Sequence, residues 1–145
     1  MTGLYNRTVF FNYATQAIAF ASRHNKIAAI LFVSVDRLKL INDTLGEAYG
    51  NKLLKTLAKR LKACVRKSDI VSRPGRDEFM ILLPEIRYPE DAALIARKIF
   101  ASLESPFTLK NHKLIASANV GISIYPNDGD NAKSLLNTSY TALQR

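Results

Sequence analysis

Three carboxylates stand where they could share a hard cation. Asp36 closes the apolar run of residues 27 to 35, and Asp77 and Glu78 lie side by side in the tip of SRPGRDEFMILL, residues 72 to 83. With the run as a strand and the dodecapeptide as a hairpin, these segments can assemble two or three oxygens for Mg²⁺. The rest of such a shell is usually water and substrate phosphate. Side chains alternate along a strand, so Ser34 and Asp36 share a face while Val33 and Val35 share the other. The ordinary alternative is that Asp36 caps the next helix and that Asp77 and Glu78 are hydrated turn residues; spacing leaves both readings open. Other chemistries lack their residues. No His/Cys group has metal-ligand spacing, no Gly-x-x-x-x-Gly-Lys loop is present, and nothing has the pattern of a nucleophile elbow. His24 and His112 read as surface residues, and Cys64, on the apolar side of a helix, reads as core.

The elements that must position these residues follow from periodicity. Residues 6 to 23 carry Val9, Phe10, Tyr13, Ala14, Ala17, Ile18 and Ala21 at helical spacing. IAAILFVSV, residues 27 to 35, is a β-branched apolar run expected as a central strand buried on both faces. Residues 47 to 66 form an amphipathic helix, with Leu53, Leu54, Leu57, Leu61 and Cys64 on one side and Lys52, Lys55, Lys59 and Lys62 on the other. Strands are expected at about 69 to 73 and 78 to 83. Pro89-Glu90-Asp91 opens a helix whose apolar side includes Ala92, Ala93, Ile95, Ala96, Ile99, Phe100 and Leu103. A short strand near 107 to 109, an NHK turn, a long strand from 113 to 125 and a last helix from 132 to 143 complete the order. The expected fold class is therefore α+β, an α/β sandwich. Its central, mainly antiparallel five-stranded sheet is flanked by helices, compatible with the ferredoxin-like plan found in nucleotide cyclases and polymerase palm domains.

The 145 residues suit a single domain, and an apolar content of 48 % suffices for a packed core. No run has the length of a membrane span and no signal peptide is evident. One cysteine excludes an internal disulfide and suits a reducing, cytoplasmic compartment, although the full-length protein could be membrane-anchored. The net charge of +9 favours anionic partners. No aromatic side chains interleave with the basic helix face, which argues against nucleic acid, and no membrane contact by this domain is expected.

Four segments in order resemble the GGDEF family, the diguanylate cyclase domains of bacterial cyclic di-GMP signalling. TGLYNR (2 to 7) is similar to LTGLPNR, and SVDRLKLINDTLGEAYGN (34 to 51) to DIDHFKxINDxxGHxxGD. RPGRDEF (73 to 79) is similar to RxGGDEF, and NVGISIYPNDG (119 to 129) to SIGIAxYPxDG. In that family two domains meet as a homodimer, each presenting one GTP, and carboxylate-held Mg²⁺ stabilises the transferring phosphate. The resemblance implies that Asn42 bonds guanine and Lys39 reaches the phosphates. It also implies that Asp77, with Glu78 beside it, is the catalytic metal ligand, and that backbone groups around Val35 cradle metal and phosphate. Arg66-Lys67-Ser68-Asp69, five residues before Gly75, matches the RxxD inhibitory site for cyclic di-GMP, with Lys98 or Arg97 as a further cation.

The departures cluster. Ser34 stands where the family has a metal-binding aspartate, and Asp36 lies roughly 6–7 Å farther along the strand. Arg76 replaces the second glycine of the turn after Gly75, adding bulk where the backbone approaches a nucleotide. Asn51 replaces a guanine-binding aspartate, and Gly46-Glu47 replaces a glycine-histidine pair. The resemblance with these changes implies a degenerate, regulatory GGDEF module without cyclase activity that binds GTP or cyclic di-GMP, with Mg²⁺ only alongside GTP. An active diguanylate cyclase using Asp36 and Asp77, and a dimerisation scaffold that binds no nucleotide, are the alternatives. The chain stops inside its last helix, and its tail is similar to versions joined to an EAL phosphodiesterase domain. A longer parent protein with such a neighbour is expected.

Overall fold

The structure, a computed structural model, describes residues 6–35, 46–73, 78–104, 107–109, 112–114 and 118–144. Its elements are α1 (Arg7–His24), β1 (Ile27–Val35), α2 (Glu47–Ala63), β2 (Ile70–Ser72), β3 (Glu78–Ile86), α3 (Glu90–Glu104), β4 (Phe107–Leu109), β5 (His112–Leu114), β6 (Ala118–Tyr125) and α4 (Ala132–Gln144). β1 is flanked by β3 and β6, and β2 is the outer neighbour of β3. Each pairing is antiparallel, so β1 and β2 run parallel to each other with β3 between them. The link through α2 is thus a split crossover.

Among the described residues the main sheet has four strands rather than the expected five. Among the described residues, β5 pairs with β4 as a separate two-stranded sheet, and β6 joins β1, in place of the single strand expected over 113 to 125. The NHK turn is likewise displaced, since His112 and Lys113 are strand residues opposite Leu109 and Thr108. A short hairpin satisfies its ladder locally, and an apolar pattern alone does not reveal which partner a strand takes.

The period of two along β1 divides the core. Ala29, Leu31, Val33 and Val35 pack with Phe79 and Ile81 of β3, with Leu53, Leu57 and Leu61 of α2 and with Ala96 and Ile99 of α3. Ile30 and Phe32 face the other way, with Met80 and Leu82, against Phe10, Ala14 and Ile18 of α1 and Leu135 of α4. A sheet covered on both faces explains why β1 reads as one apolar run. Two aromatics counted among the apolar stripes, Tyr13 and Phe100, are exposed instead. They lie at the stripe edges, where a helix surface turns from the sheet to solvent.

Helix ends set the loops that carry polar residues. Asn6 Oδ1 accepts the Val9 N–H at 2.9 Å and starts α1. Asn25, at φ 52°, ends it, and the Lys26 N–H closes on the Ala21 carbonyl at 2.9 Å. Gly46 precedes α2 at φ 97°, a conformation that costs glycine little and other residues much. The carboxylate of Asp91 accepts the N–H groups of Arg87 and Tyr88, at 3.1 and 3.0 Å, and fixes the entry to α3.

Candidate functional site

Two polar regions lie at opposite ends of β3. At its start, the sheet register sets Ser34 of β1 directly between Glu78 of β3 and Asn119 of β6. Directly opposed residues in antiparallel strands have Cα atoms about 4.5–5.5 Å apart, so these three side chains share one patch of sheet. Val35, the next residue, is buried on the opposite face. Asp36, Lys39, Asn42, Gly75, Arg76 and Asp77 lie outside the described residues. Asn51 is exposed in the first turns of α2.

The described donors at this end fit a magnesium ion poorly. Glu78 supplies the single carboxylate of the trio, Ser34 a neutral hydroxyl and Asn119 an amide, whereas Mg²⁺ sites in proteins lean on carboxylates. Among the described residues no group of three or more His, Cys, Asp or Glu side chains could hold a metal.

At the far end of β3, the turn between α2 and β2 is tightly built. The Asp69 N–H bonds the Arg66 carbonyl at 3.0 Å, and Asp69 Oδ2 accepts the Arg66 N–H at 2.9 Å. The Arg66 guanidinium leans on the same carboxylate at 3.4 and 3.5 Å and donates from Nη2 to the Glu85 carbonyl at 2.7 Å. Burial differs sharply across the pair: the Arg66 side chain is 61 % exposed and that of Asp69 is 1 % exposed. The aspartate therefore organises the turn, and the arginine presents donors to solvent. A guanidinium carries five N–H donors in one plane, and among the described residues its Nη1 has no protein acceptor.

Lys98 of α3 joins this turn. With Arg66, Asp69, Cys64 and Arg87 it lines a cavity of about 390 Å³ whose apolar wall includes Leu94 and Ile95. Arg97, its neighbour in sequence, is exposed and does not line it. The expected trio of Arg66, Asp69 and Lys98 is thus brought to one concavity. The role of the Glu85 carbonyl had no sequence signal, because any residue there would supply the same acceptor.

Cys64 lies in the core and at the edge of this cavity. Burial pushes its thiol pKa up, while a hydrogen bond with Ser102 and the charge of Lys98 pull the other way. A raised pKa means less thiolate at a given pH, and the thiolate is the reactive form. Native protein at pH 8 is expected to react with a disulfide reagent at least about tenfold more slowly than the urea-unfolded chain. Equal rates would show that the thiol is accessible and unshifted.

Comparison with known proteins agrees with this architecture. The family model described as diguanylate cyclase, GGDEF domain, matches residues 1–145. Diguanylate cyclase TpbB of Pseudomonas aeruginosa is 38 % identical over 99 % of this chain and 33 % of its own length. The bifunctional diguanylate cyclase/cyclic di-GMP phosphodiesterase MucR of the same species is 38 % identical over 94 % of this chain and 20 % of its own. The crystal structure of the TpbB GGDEF domain superposes with a TM-score of 0.96 at 36 % identity, covering 99 % of this chain and 90 % of that one. The chain spans about a fifth to a third of the length of the curated relatives it matches.

Proposed function

Because the chain belongs to the GGDEF family of diguanylate cyclase domains and so to cyclic di-GMP signalling, we propose that it is a regulatory member without cyclase activity, binding cyclic di-GMP through Arg66, Asp69 and Lys98. The observation that carries this reading is the contrast between the two ends of β3. The turn at Arg66 is assembled, with its aspartate buried and its arginine offered to solvent. The end at Ser34 sets a hydroxyl against Glu78, where the resemblance calls for an aspartate. A planar guanidinium forks onto a guanine edge or a phosphate, and the buried Asp69 carboxylate holds the turn that presents it.

GTP is the second nucleotide of the proposal, met by Asn42, Lys39 and Asn51. Mg²⁺ accompanies only GTP, on Asp36 and Asp77, and the site centred on Gly75 and Arg76 is impaired for catalysis. Binding passes to an attached domain, of the EAL phosphodiesterase kind by resemblance; the bifunctional name of one relative supports such a neighbour. A homodimer and a cytoplasmic position belong to the same proposal. Among the described residues, no helix is long and apolar enough to cross a membrane.

Purified protein incubated with GTP and Mg²⁺ is expected to yield no cyclic di-GMP by chromatography, while calorimetry detects cyclic di-GMP binding. Sustained turnover would overturn the loss of activity. Failure to bind either nucleotide would leave a scaffold.

A further inference from the structure

We infer that the outer face of α2, together with its neighbour α3, is a docking surface for an anionic membrane. Seven of the chain's 21 Lys and Arg residues fall between positions 52 and 67, and no acidic residue occurs from 48 to 68. Four of them, Lys52, Lys55, Lys59 and Lys62, recur at spacings of three and four. That spacing stacks them on one ridge, about 15 Å long. Leu53, Leu54, Leu57 and Leu61 of the same helix are buried in the core, so the ridge points away from the sheet. All four lysines are exposed and, among the described residues, none has an ion-pair partner. Like charges at these spacings destabilise a helix, so the ridge works against folding, and no ion pair among the described residues offsets it. Lys52, Lys55 and Lys59 line neither the Lys98 cavity nor the concavity at the Arg66 turn.

The breadth of the face selects the partner. α3 packs beside α2 on the same side of the sheet, tied to it by the 2.8 Å bond from Arg60 Nη1 to the Ser102 carbonyl. Arg97, which does not line the Lys98 cavity, is exposed across α3 from the buried Ala92, Ile99 and Leu103 and adds a fifth cation. Each helix is about 10–12 Å across with its side chains, so the pair is broader than a DNA major groove of about 12 Å. No aromatic side chain stands between Lys52 and Lys62 to stack single-stranded bases. Lysine is depleted in protein–protein interfaces, which rely on buried aromatic and arginine anchors. A layer of anionic headgroups needs neither groove nor anchor. Mobile lipids match any spacing of hydrated ammonium groups, and each lysine near the surface adds to the attraction.

Contact of this kind needs no spanning helix, so the sequence-based expectation of no membrane contact gives way to a peripheral one. Co-sedimentation with vesicles tests it. The chain is expected to bind mixed phosphatidylcholine and phosphatidylglycerol vesicles at least about tenfold more tightly than vesicles of phosphatidylcholine alone. Molar salt should abolish the difference. Lys52→Gln/Lys55→Gln/Lys59→Gln is expected to weaken binding to the anionic vesicles at least about tenfold, with an unchanged thermal melt. Arg23→Gln/Lys26→Gln/Lys133→Gln removes as much charge from exposed positions outside α2 and α3, and should stay within about twofold of wild type. Equal binding to the two kinds of vesicle overturns the surface. Equal losses in the two triple variants overturn the ridge in favour of net charge alone. Binding to a duplex oligonucleotide but not to vesicles, lost in the lysine variant, assigns the ridge to nucleic acid and overturns the membrane. The lipid and salt comparisons use the natural sequence and stand even if a variant fails to fold.

Discussion

Arg66→Ala is expected to weaken cyclic di-GMP binding by at least about a hundredfold, ~2.7 kcal/mol, at a stability cost of about 1–3 kcal/mol. Hydrogen bonds to a charged group contribute about 1.5–3 kcal/mol each, and a forked pair adds geometric selection. The stability cost arises at the other partner: the Asp69 side chain is 1 % exposed, and removing the guanidinium 3.4 Å away leaves that buried carboxylate without its counter-charge. The backbone N–H of residue 66 still reaches Asp69 Oδ2 after the substitution, so the turn keeps its principal bond. Calorimetric titration and denaturant unfolding of the same variant test both halves. Arg66→Lys, which keeps the charge and loses the fork, should fall between the two. Wild-type affinity in the alanine variant would remove Arg66 from the ligand site.

Phe79→Ala is expected to cost about 3–5 kcal/mol, the largest stability loss among these substitutions. The ring is fully buried, in the core layer beneath α2, and stands opposite Val33 across the β1–β3 ladder. A domain of this size has about 5–15 kcal/mol in total, so the loss consumes a large share. It also bears on function, because Phe79 follows Glu78 and anchors the start of β3. The urea midpoint should fall with little change in slope. Phe100→Ala, on the exposed side of α3, should by comparison change stability by no more than about 0.5 kcal/mol. Comparable losses at the two positions would show that burial does not decide the difference.

Much of the molecule is legible in its sequence. The helices at Arg7–His24, Glu47–Ala63, Glu90–Glu104 and Ala132–Gln144 follow the helical spacing, although the second stops at Ala63, short of the expected 66, with Cys64 as its cap. The double burial of β1 follows from its unbroken apolar run. Both are local properties: side-chain period, backbone preference and cap chemistry act within a few residues. The family, too, is carried by short motifs in a fixed order.

Pairing and proximity were decided by the tertiary structure. The same apolar pattern served a fifth strand of the main sheet and a separate β4–β5 hairpin equally well, because alternation specifies a face and not a neighbour. Register alone set Ser34 between Glu78 and Asn119, residues 44 and 85 positions away. Packing of α3 beside α2 brought Lys98, rather than Arg97, to the cavity at Arg66 and Asp69. The Glu85 carbonyl that holds Arg66 has no side-chain signature at all. Sequence thus determined which residues could bind an anion or an ion. Which of them meet depended on long-range contacts, whose geometry is fixed by burying the whole chain at once.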